Sequence, residues 1–513
     1  MKSEIKMNAK FVKILAVNKQ WYHFWTYNIN KYYINMKKLL SLLCFISILT
    51  LSGQSKNISP KKENNAVKEF AQSPELKFAH YGISIRSLST GKEVVKINAH
   101  HSLAPASNLK LLYTLAAIDQ FGKDYRFNTK LVYSGKIVHQ MLFGDLIFQP
   151  SGDPTFGSPR IKEDYKQLIN EAIAAIKRQG IKKISGQLVM ELNGWRYPAA
   201  GSWPIEDIGN YYGTGAWDFN FNDNRIDIYL QRGSHSGEPS KVLYIEPKID
   251  GITYHSKVTT AAPDTSDEAY IYAAPFDTER YILGTIPAGK KPFRVKGGMP
   301  NPPLSFLKLF KARLQANGIA VKGIQIRYAQ KTYPQIIWQH RSKPLLDIVK
   351  ITNDYSMNHF SEALAWLLIQ GDAPAAGYLD KQKIHDFFSN YGFADADIED
   401  GSGLAPDNLV QPAQMTAFLK LMTDKLGQSV VLDILPHGGE DGYAKYFLKN
   451  DTLQKQVWVK SGSVSKVQNY TGIFKANSGK YYSFSIMTNY FIGKHKAVRK
   501  AVEKLLKNYI KNL

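Results

Sequence analysis

Pro105-Ala106-Ser107-Asn108-Leu109-Lys110, running on into Leu111-Leu112-Tyr113-Thr114-Leu115-Ala116-Ala117-Ile118, is the stretch around which the rest of the chain can be ordered. A serine and a lysine three residues apart share one helix face, so the amine can reach the hydroxyl. Such a pair activates a serine nucleophile without histidine. Pro105 suits a helix start, and the apolar run after Lys110 predicts a buried helix body. Spacing alone does not single the pair out. Ser-x-x-Lys occurs six times, at Ser3, Ser59, Ser89, Ser107, Ser305 and Ser463. Ser3 and Ser59 lie in polar N-terminal stretches, Ser89 in the turn Ser89-Thr90-Gly91-Lys92, and Ser463 beyond a strand-like segment. Ser305 opens a second helical segment and is the rival. Only Ser107 combines a helix start with a preceding hairpin, formed by Tyr81–Leu88 and Glu93–Asn98, and a buried-looking body.

Working outward, 513 residues with 44% hydrophobic content allow two or three domains and a large core. The net charge is +23. The first 53 residues hold eight Lys and one Glu, so the remainder carries 23 − 7 = +16. A basic surface suits an anionic polymer or a membrane surface, with peripheral envelope association as one reading and a merely basic solvated surface as the other. No basic helix or aromatic RNA-binding signature appears, so nucleic acid is not an expected partner. The single cysteine, Cys44, leaves no disulfide framework or cysteine metal site, and the twelve histidines lack zinc-ligand spacing. No metal and no cofactor are expected. Met36-Lys37-Lys38 precedes an apolar run ending in Leu51-Ser52-Gly53, the tripartite pattern of a secretory signal peptide. Residues 1–53 therefore read as an N-terminal extension plus signal peptide, with Met36 as the expected start. The expected destination is the cell envelope, in the periplasm.

Residues 54–75 are polar and read as a linker. From 128 to 335 strand-like pieces alternate with Gly/Pro punctuation, with helical pieces near 163–179 and 303–317. This block reads as one or two inserted, mainly β domains, with a subdomain near 234–300. After 336 the chain turns helical, then ends in three strands and a helix over about 493–510. The N-terminal hairpin and the three C-terminal strands together predict a five-stranded antiparallel sheet. The fold class is α+β: one domain, made of 76–127 and 336–513, split by the insert.

Three motifs fall in order: Ser107-x-x-Lys110, Ser356-x-Asn358 and Lys460-Ser461-Gly462. Together they match the Ser-x-x-Lys, Ser-x-Asn and Lys-Thr-Gly set of penicillin-binding proteins and class A β-lactamases. The chain after the signal run resembles the class C low-molecular-mass penicillin-binding proteins, the DacB-like D-alanyl-D-alanine carboxypeptidases and endopeptidases. Further matching stretches are Gly152-Asp153-Pro154-Thr155, Asp400-Gly401-Ser402-Gly403-Leu404 and Leu435-Pro436-His437-Gly438-Gly439-Glu440-Asp441-Gly442. The long gap between Ser107 and Ser356 fits this family, which carries inserted domains there, and not the β-lactamases. Two departures stand out, Met357 in the second motif and Ser461 in place of threonine in the third.

The resemblance implies a DD-peptidase/β-lactamase-like fold and a serine peptidase acting on peptidoglycan peptides, with β-lactams as covalent inhibitors. Ser107 would attack the peptide carbonyl and Lys110, held neutral by burial and by Lys460, would take its proton. Ser356 would relay a proton to the leaving amine, and Asn358 would orient Lys110 and hold the substrate amide. Lys460 and Ser461 would bind the terminal carboxylate, and Gly462 would let the substrate backbone approach the strand. By resemblance the oxyanion donors are the backbone amides of Ser107 and Ser463. Trp203–Tyr212 resembles the family segment facing the substrate's basic side chain, giving Asp207 and Tyr212, with a structural loop as the other reading. Asp153, Asp400 and Glu440 read as turn formers. A β-lactamase or esterase with the same motifs, and a non-catalytic wall-binding protein, are the competing functions. No Glu-x-x-Leu-Asn element supports rapid hydrolysis of a β-lactam adduct.

Overall fold

Five strands carry the site. They are β1 (His80–Ser87), β2 (Glu93–Ile97), β3 (Val457–Val464), β4 (Val467–Lys475) and β5 (Tyr481–Asn489), in the order β2-β1-β5-β4-β3. Every pairing is antiparallel, and His80 lies opposite Asn489. The computed structural model describes residues 65–513 except Asp372. The signal-peptide run and the expected start at Met36 lie outside the described residues.

The sheet is covered on both faces, and alternation decides which residue meets which cover. Phe474, Phe484 and Ile486 pack with Val498, Val502 and Leu506 of α5 (His495–Asn512). Ile473 and Met487 point the other way, into a helical layer. That layer contains α1 (Lys110–Phe121), α2 (Leu345–Asp354), α3 (Asn358–Ile369) and α4 (Pro412–Leu426). The helix-facing side also buries hydroxyls, which must find partners. Ser84 Oγ lies 2.8 Å from Thr416 Oγ1, and Ser483 Oγ donates to Thr416 O. Residues Lys110 to Ile118 of α1 are all buried, as a helix apolar on every side must be.

The expected linker over 54–75 is corrected in its last part. Asn65–Ala71 is a helix, with Val67 and Phe70 buried in the same cluster as α5, and Glu69 pairs with Lys504 at 2.8 Å. Its apolar face is only two side chains wide, too little to read as a period.

The insert has its own core. A seven-stranded mixed sheet is built on Lys183–Glu191, which pairs in parallel with Ala320–Arg327 and Leu146–Gln149. Helices Tyr165–Arg178 and Pro302–Ala316 bury their apolar faces against it. The short strands between 225 and 298 form smaller sheets, two of them within the expected 234–300 subdomain. The expected boundary at 336 moves. Ile336–Arg341 pairs with Asn128–Tyr133, so this strand completes the insert's sheet. Ala375–Gly377 also pairs with Gly194–Arg196, tying the insert to the helical layer. Residues 65–513 form one compact unit.

Candidate active site

Ala106–Leu109 forms a 3₁₀ turn feeding α1, so Ser107 stands on the turn and Lys110 opens the helix proper. Ala106 is held at φ 45°, a left-handed conformation that costs a non-glycine residue roughly 1–2 kcal/mol. Tight packing holds it there: a Cβ on Gly403 would lie 2.0 Å from Ala106 O. Asn108 Nδ2 donates to Thr471 Oγ1 of β4 and fixes the turn to the sheet. Lys110 Nζ lies 2.8 Å from Ser107 Oγ and donates to Ser402 O at 2.5 Å. The rival serine is separated from its lysine's amine. Ser305 Oγ donates to Pro300 O, while Lys308 Nζ donates to Asp250 O on the surface.

Lys110 is fully buried, and desolvation brings its pKa down to about 7, against the opposing pull of Asp400 and Glu362. Burial thus leads, rather than the charge of Lys460. Lys460 is itself buried and held well below the ordinary lysine value, first by desolvation and then by Lys110, with Asp354 acting the other way. Its Nζ donates to Ser356 Oγ at 2.9 Å and to Ser461 O at 2.7 Å. Ser356 sits between α2 and α3 at φ 52°, a second left-handed non-glycine residue beside the site. With these bonds and 1% exposure, the Lys460 ammonium does not face open cleft. Ser461 and Ser463 line the cleft instead.

β3 is an edge strand, and half of its backbone groups lack a partner within the sheet. Pro436 and Gly438 cover its first part, where Val459 N donates to Pro436 O and Gly438 N donates to Val457 O. By the period-two alternation, the N–H groups of Ser461 and Ser463 leave the same edge beyond that cover. The side chain that Gly462 lacks does not face this edge. A Cβ there would lie 2.5 Å from Pro105 O and 2.8 Å from Asn108 N. The expectation that Gly462 makes room for substrate is therefore corrected: it makes room for the Ser107 turn. Gly462→Ala is expected to cost about 1–3 kcal/mol by overpacking. Calorimetry would register this as a lower melting temperature, and unchanged melting would mean that the turn has slack.

Cavities on three sides of Ser107 and Ser356 make a branched cleft. The first, about 300 Å³, is bordered by Ser461, Ser463, Tyr446 and Arg499. The second, about 560 Å³, is bordered by Asp207, Tyr212, Asn358, Leu404 and Ser463. Asp207 and Tyr212 meet in it, the phenol donating to Asp207 Oδ1 at 2.9 Å. Burial raises the pKa of both groups, and their proximity raises that of Tyr212 further. The third, about 80 Å³, is bordered by Arg160, Arg225, Tyr211, Ser356 and Asn358. Asn358 Nδ2 donates to Tyr212 O at 2.8 Å. Lys110 Nζ meets Ser107 and Ser402, so the Ser402 carbonyl orients the lysine, in place of the Asn358 expected from the motif.

Of the two carboxylates acting on Lys110, sequence reading took Asp400 for a turn former and passed over Glu362. Asp400 accepts from Gly403 N, Ala405 N, Trp203 Nε1 and Asn408 Nδ2, a turn former that also shapes the Ser402 carbonyl's loop. Glu362, on α3, accepts from Gly401 N at 3.0 Å; burial and Asp400 push its pKa up to about 8. Glu362 Oε1 and Tyr113 Oη are buried without hydrogen-bond partners. A lone glutamate in a helix gives no signal that could have found it. Arg499 lies one helical turn from His495, which meets Ser463 Oγ at 3.1 Å, so this face of α5 could have been read from the i, i+4 spacing once α5 was docked. Among the described residues no group of three or more His, Cys, Asp or Glu is placed to hold a metal, and no helix is long and apolar enough to cross a membrane.

Known proteins are similar to this chain along most of its length. The D-alanyl-D-alanine carboxypeptidase DacB of Haemophilus influenzae is 25% identical over 458 residues, 88% of this chain and 93% of the relative. A D-alanyl-D-alanine carboxypeptidase of Actinomadura sp. is 24% identical over 445 residues, 82% of this chain and 79% of the relative. The crystal structure of penicillin binding protein 4 (dacB) from Haemophilus influenzae superposes with a TM-score of 0.75 at 24% identity, over 87% of this chain and 99% of that one. With its profile matched across residues 63–509, the D-Ala-D-Ala carboxypeptidase 3 (S13) family is the one to which this chain belongs.

Proposed function

We propose that this serine-type D-Ala-D-Ala carboxypeptidase cleaves the terminal peptide bond of peptidoglycan stem peptides through an acyl-enzyme on Ser107, and that β-lactams trap it there. The observation that carries this reading is the pair of buried lysines, each in contact with one serine: Lys110 with Ser107 and Lys460 with Ser356. An amine with a pKa near 7 is substantially neutral at neutral pH and accepts the Ser107 proton as Oγ attacks the carbonyl carbon. The new C–O bond turns the carbonyl oxygen into an oxyanion, for which the amides of Ser107 and Ser463 are the donors by resemblance. Ser356, bridged to Lys460, relays the Ser107 proton from Lys110 to the departing amine as the C–N bond breaks, which leaves Lys110 neutral again. Water then attacks the ester, with Lys110 again as base. Substrate lies along the free edge of β3, taking main-chain bonds as an added strand would.

Ser461 and Ser463 donate to the terminal carboxylate, and Arg499 supplies the positive charge of that cavity. The second cavity takes the diamino-acid side chain, its ammonium meeting Asp207. The Met36–Gly53 run and a wall substrate together support export to the periplasm as the proposed location. Mass spectrometry of a penicillin adduct, with D-alanine release from muropeptides, tests the reading. A stable adduct on Ser107 and released D-alanine are expected. Rapid antibiotic turnover without D-alanine release would favour the β-lactamase alternative, and no adduct on folded protein would refute the reading.

A further inference from the structure

The third cavity has no part in the chemistry described so far. It opens beside Ser356 and shares Tyr212 and Asn358 with the cavity that holds Asp207. At about 80 Å³ it accommodates one small group and not a residue. Its charged walls come from the insert: Arg160, which lies over the Tyr355 ring at 4.5 Å, with Arg225 and its partner Asp223. Lys296 lies over the Tyr211 ring at 5.3 Å, at the back of the same wall.

The charges here do not cancel. Arg225 meets Asp227 at 3.0 Å and Asp223 at 3.9 Å, and Arg294 meets Asp227 at 3.6 Å. Two carboxylates thus face Arg225 and Arg294, while Arg160 and Lys296 form no ion pair among those of the described residues. Asp267 also acts on Tyr211, and His359, fully buried and held neutral by desolvation, adds no charge. Lys296 is lowered by burial and by Arg225, Arg294 and Arg160. Mutual repulsion of this kind is relieved by an anion. Paired cations with a planar fork and aromatic walls suit a carboxylate.

Resting on the proposed acyl-enzyme reading, we propose that this cavity binds the free α-carboxylate of the γ-linked acidic residue that precedes the diamino acid in the stem peptide. The geometry fits the order of the chain. With the scissile carbonyl at Ser107 and the diamino side chain directed to Asp207, the preceding residue leaves from the same α-carbon as that side chain. Its carboxylate then falls beside the wall that the two cavities share. The insert would therefore read two charges of opposite sign, an ammonium at Asp207 and a carboxylate at Arg160, with Lys296 adding positive charge from behind the Tyr211 ring.

The test uses two synthetic pentapeptides, L-Ala-γ-D-Glu-diamino acid-D-Ala-D-Ala with the glutamyl α-carboxyl either free or amidated, at low ionic strength. The full chain is expected to cleave the acid with about a tenfold higher kcat/KM than the amide. Arg160→Ala and Lys296→Ala should each lower that ratio toward one by slowing the acid, with the amide as internal reference and penicillin adduct formation confirming a folded site. Equal rates for the two peptides in the unaltered protein, or a ratio that persists in both variants, would overturn the proposal. Cleavage of neither peptide together with no penicillin adduct would instead bring down the acyl-enzyme reading beneath it.

Discussion

Ser107→Ala is expected to abolish covalent penicillin labelling and to lower D-alanine release by about 10⁴- to 10⁶-fold, the range seen when a nucleophile is removed from a hydrolase that works as a unit. The reason is local. Ser107 Oγ is the hydroxyl in contact with Lys110 Nζ, and in the alanine variant the amine keeps its bond to Ser402 O. The loss is therefore chemical, and the variant should melt within a few degrees of the parent. Labelling that persists at another serine would point to the other hydroxyls of the cleft. Ser356 and Ser463 are the ones to examine by peptide mapping, since both border it.

The second large effect belongs to Lys110. Lys110→Met keeps the length and apolar stem but removes the amine, and acylation by penicillin should fall by about 10²- to 10⁴-fold, the worth of a positioned base. In the parent, acylation should rise with pH, because the lowered pKa makes the neutral, accepting form dominant above about 7. Glu362, with its own value up to about 8, titrates in the same interval. Two groups that act on each other lose protons as a pair, so the limb should be shallow across that interval. Glu362→Gln removes a charge that holds the proton on Lys110, and the limb should steepen and move to lower pH. Stopped-flow acylation rates from pH 5 to 9 would decide it. A limb that stays in place in Glu362→Gln would sever Glu362 from the lysine's titration.

How far the sequence reached depended on the kind of signal. Pattern found β1, β3, β4, β5 and α5 within a few residues: α5 buries a regular face, and β4 and β5, buried on both faces, stand out as runs bounded by Gly/Asn turns. It missed Ile336–Arg341, Ala320–Arg327 and the Asn65–Ala71 helix, whose burial depends on distant partners and leaves little local pattern. In the site, motif order brought together Ser107, Lys110, Ser356 and Lys460, and the segment Trp203–Tyr212 brought Asp207 and Tyr212 to the same cleft. The roles of Gly462 and Asn358 shifted, since a motif names a residue type but not the neighbour it meets. The Gly462 neighbour is a turn more than three hundred residues upstream, and the Asn358 neighbour is a carbonyl of the insert. Ser402, Glu362 and the Arg160–Arg225 wall carry no spacing of their own.

The pairing of His80 with Asn489 has a temporal side. β1 leaves the synthesis machinery among the first elements and can find its partner only when nearly the whole chain has followed. Until then its edge is open, and closing so wide a loop delays the sheet. The insert, with its own core between 128 and 341, can consolidate while β1 waits. Lys460 arrives late too, on β3, two strands ahead of the β5 strand that pairs with β1. A chain interrupted before that point would hold its nucleophile turn without the second lysine. The enzyme is thus idle through its own assembly and becomes competent only once its carboxyl-terminal strands have docked.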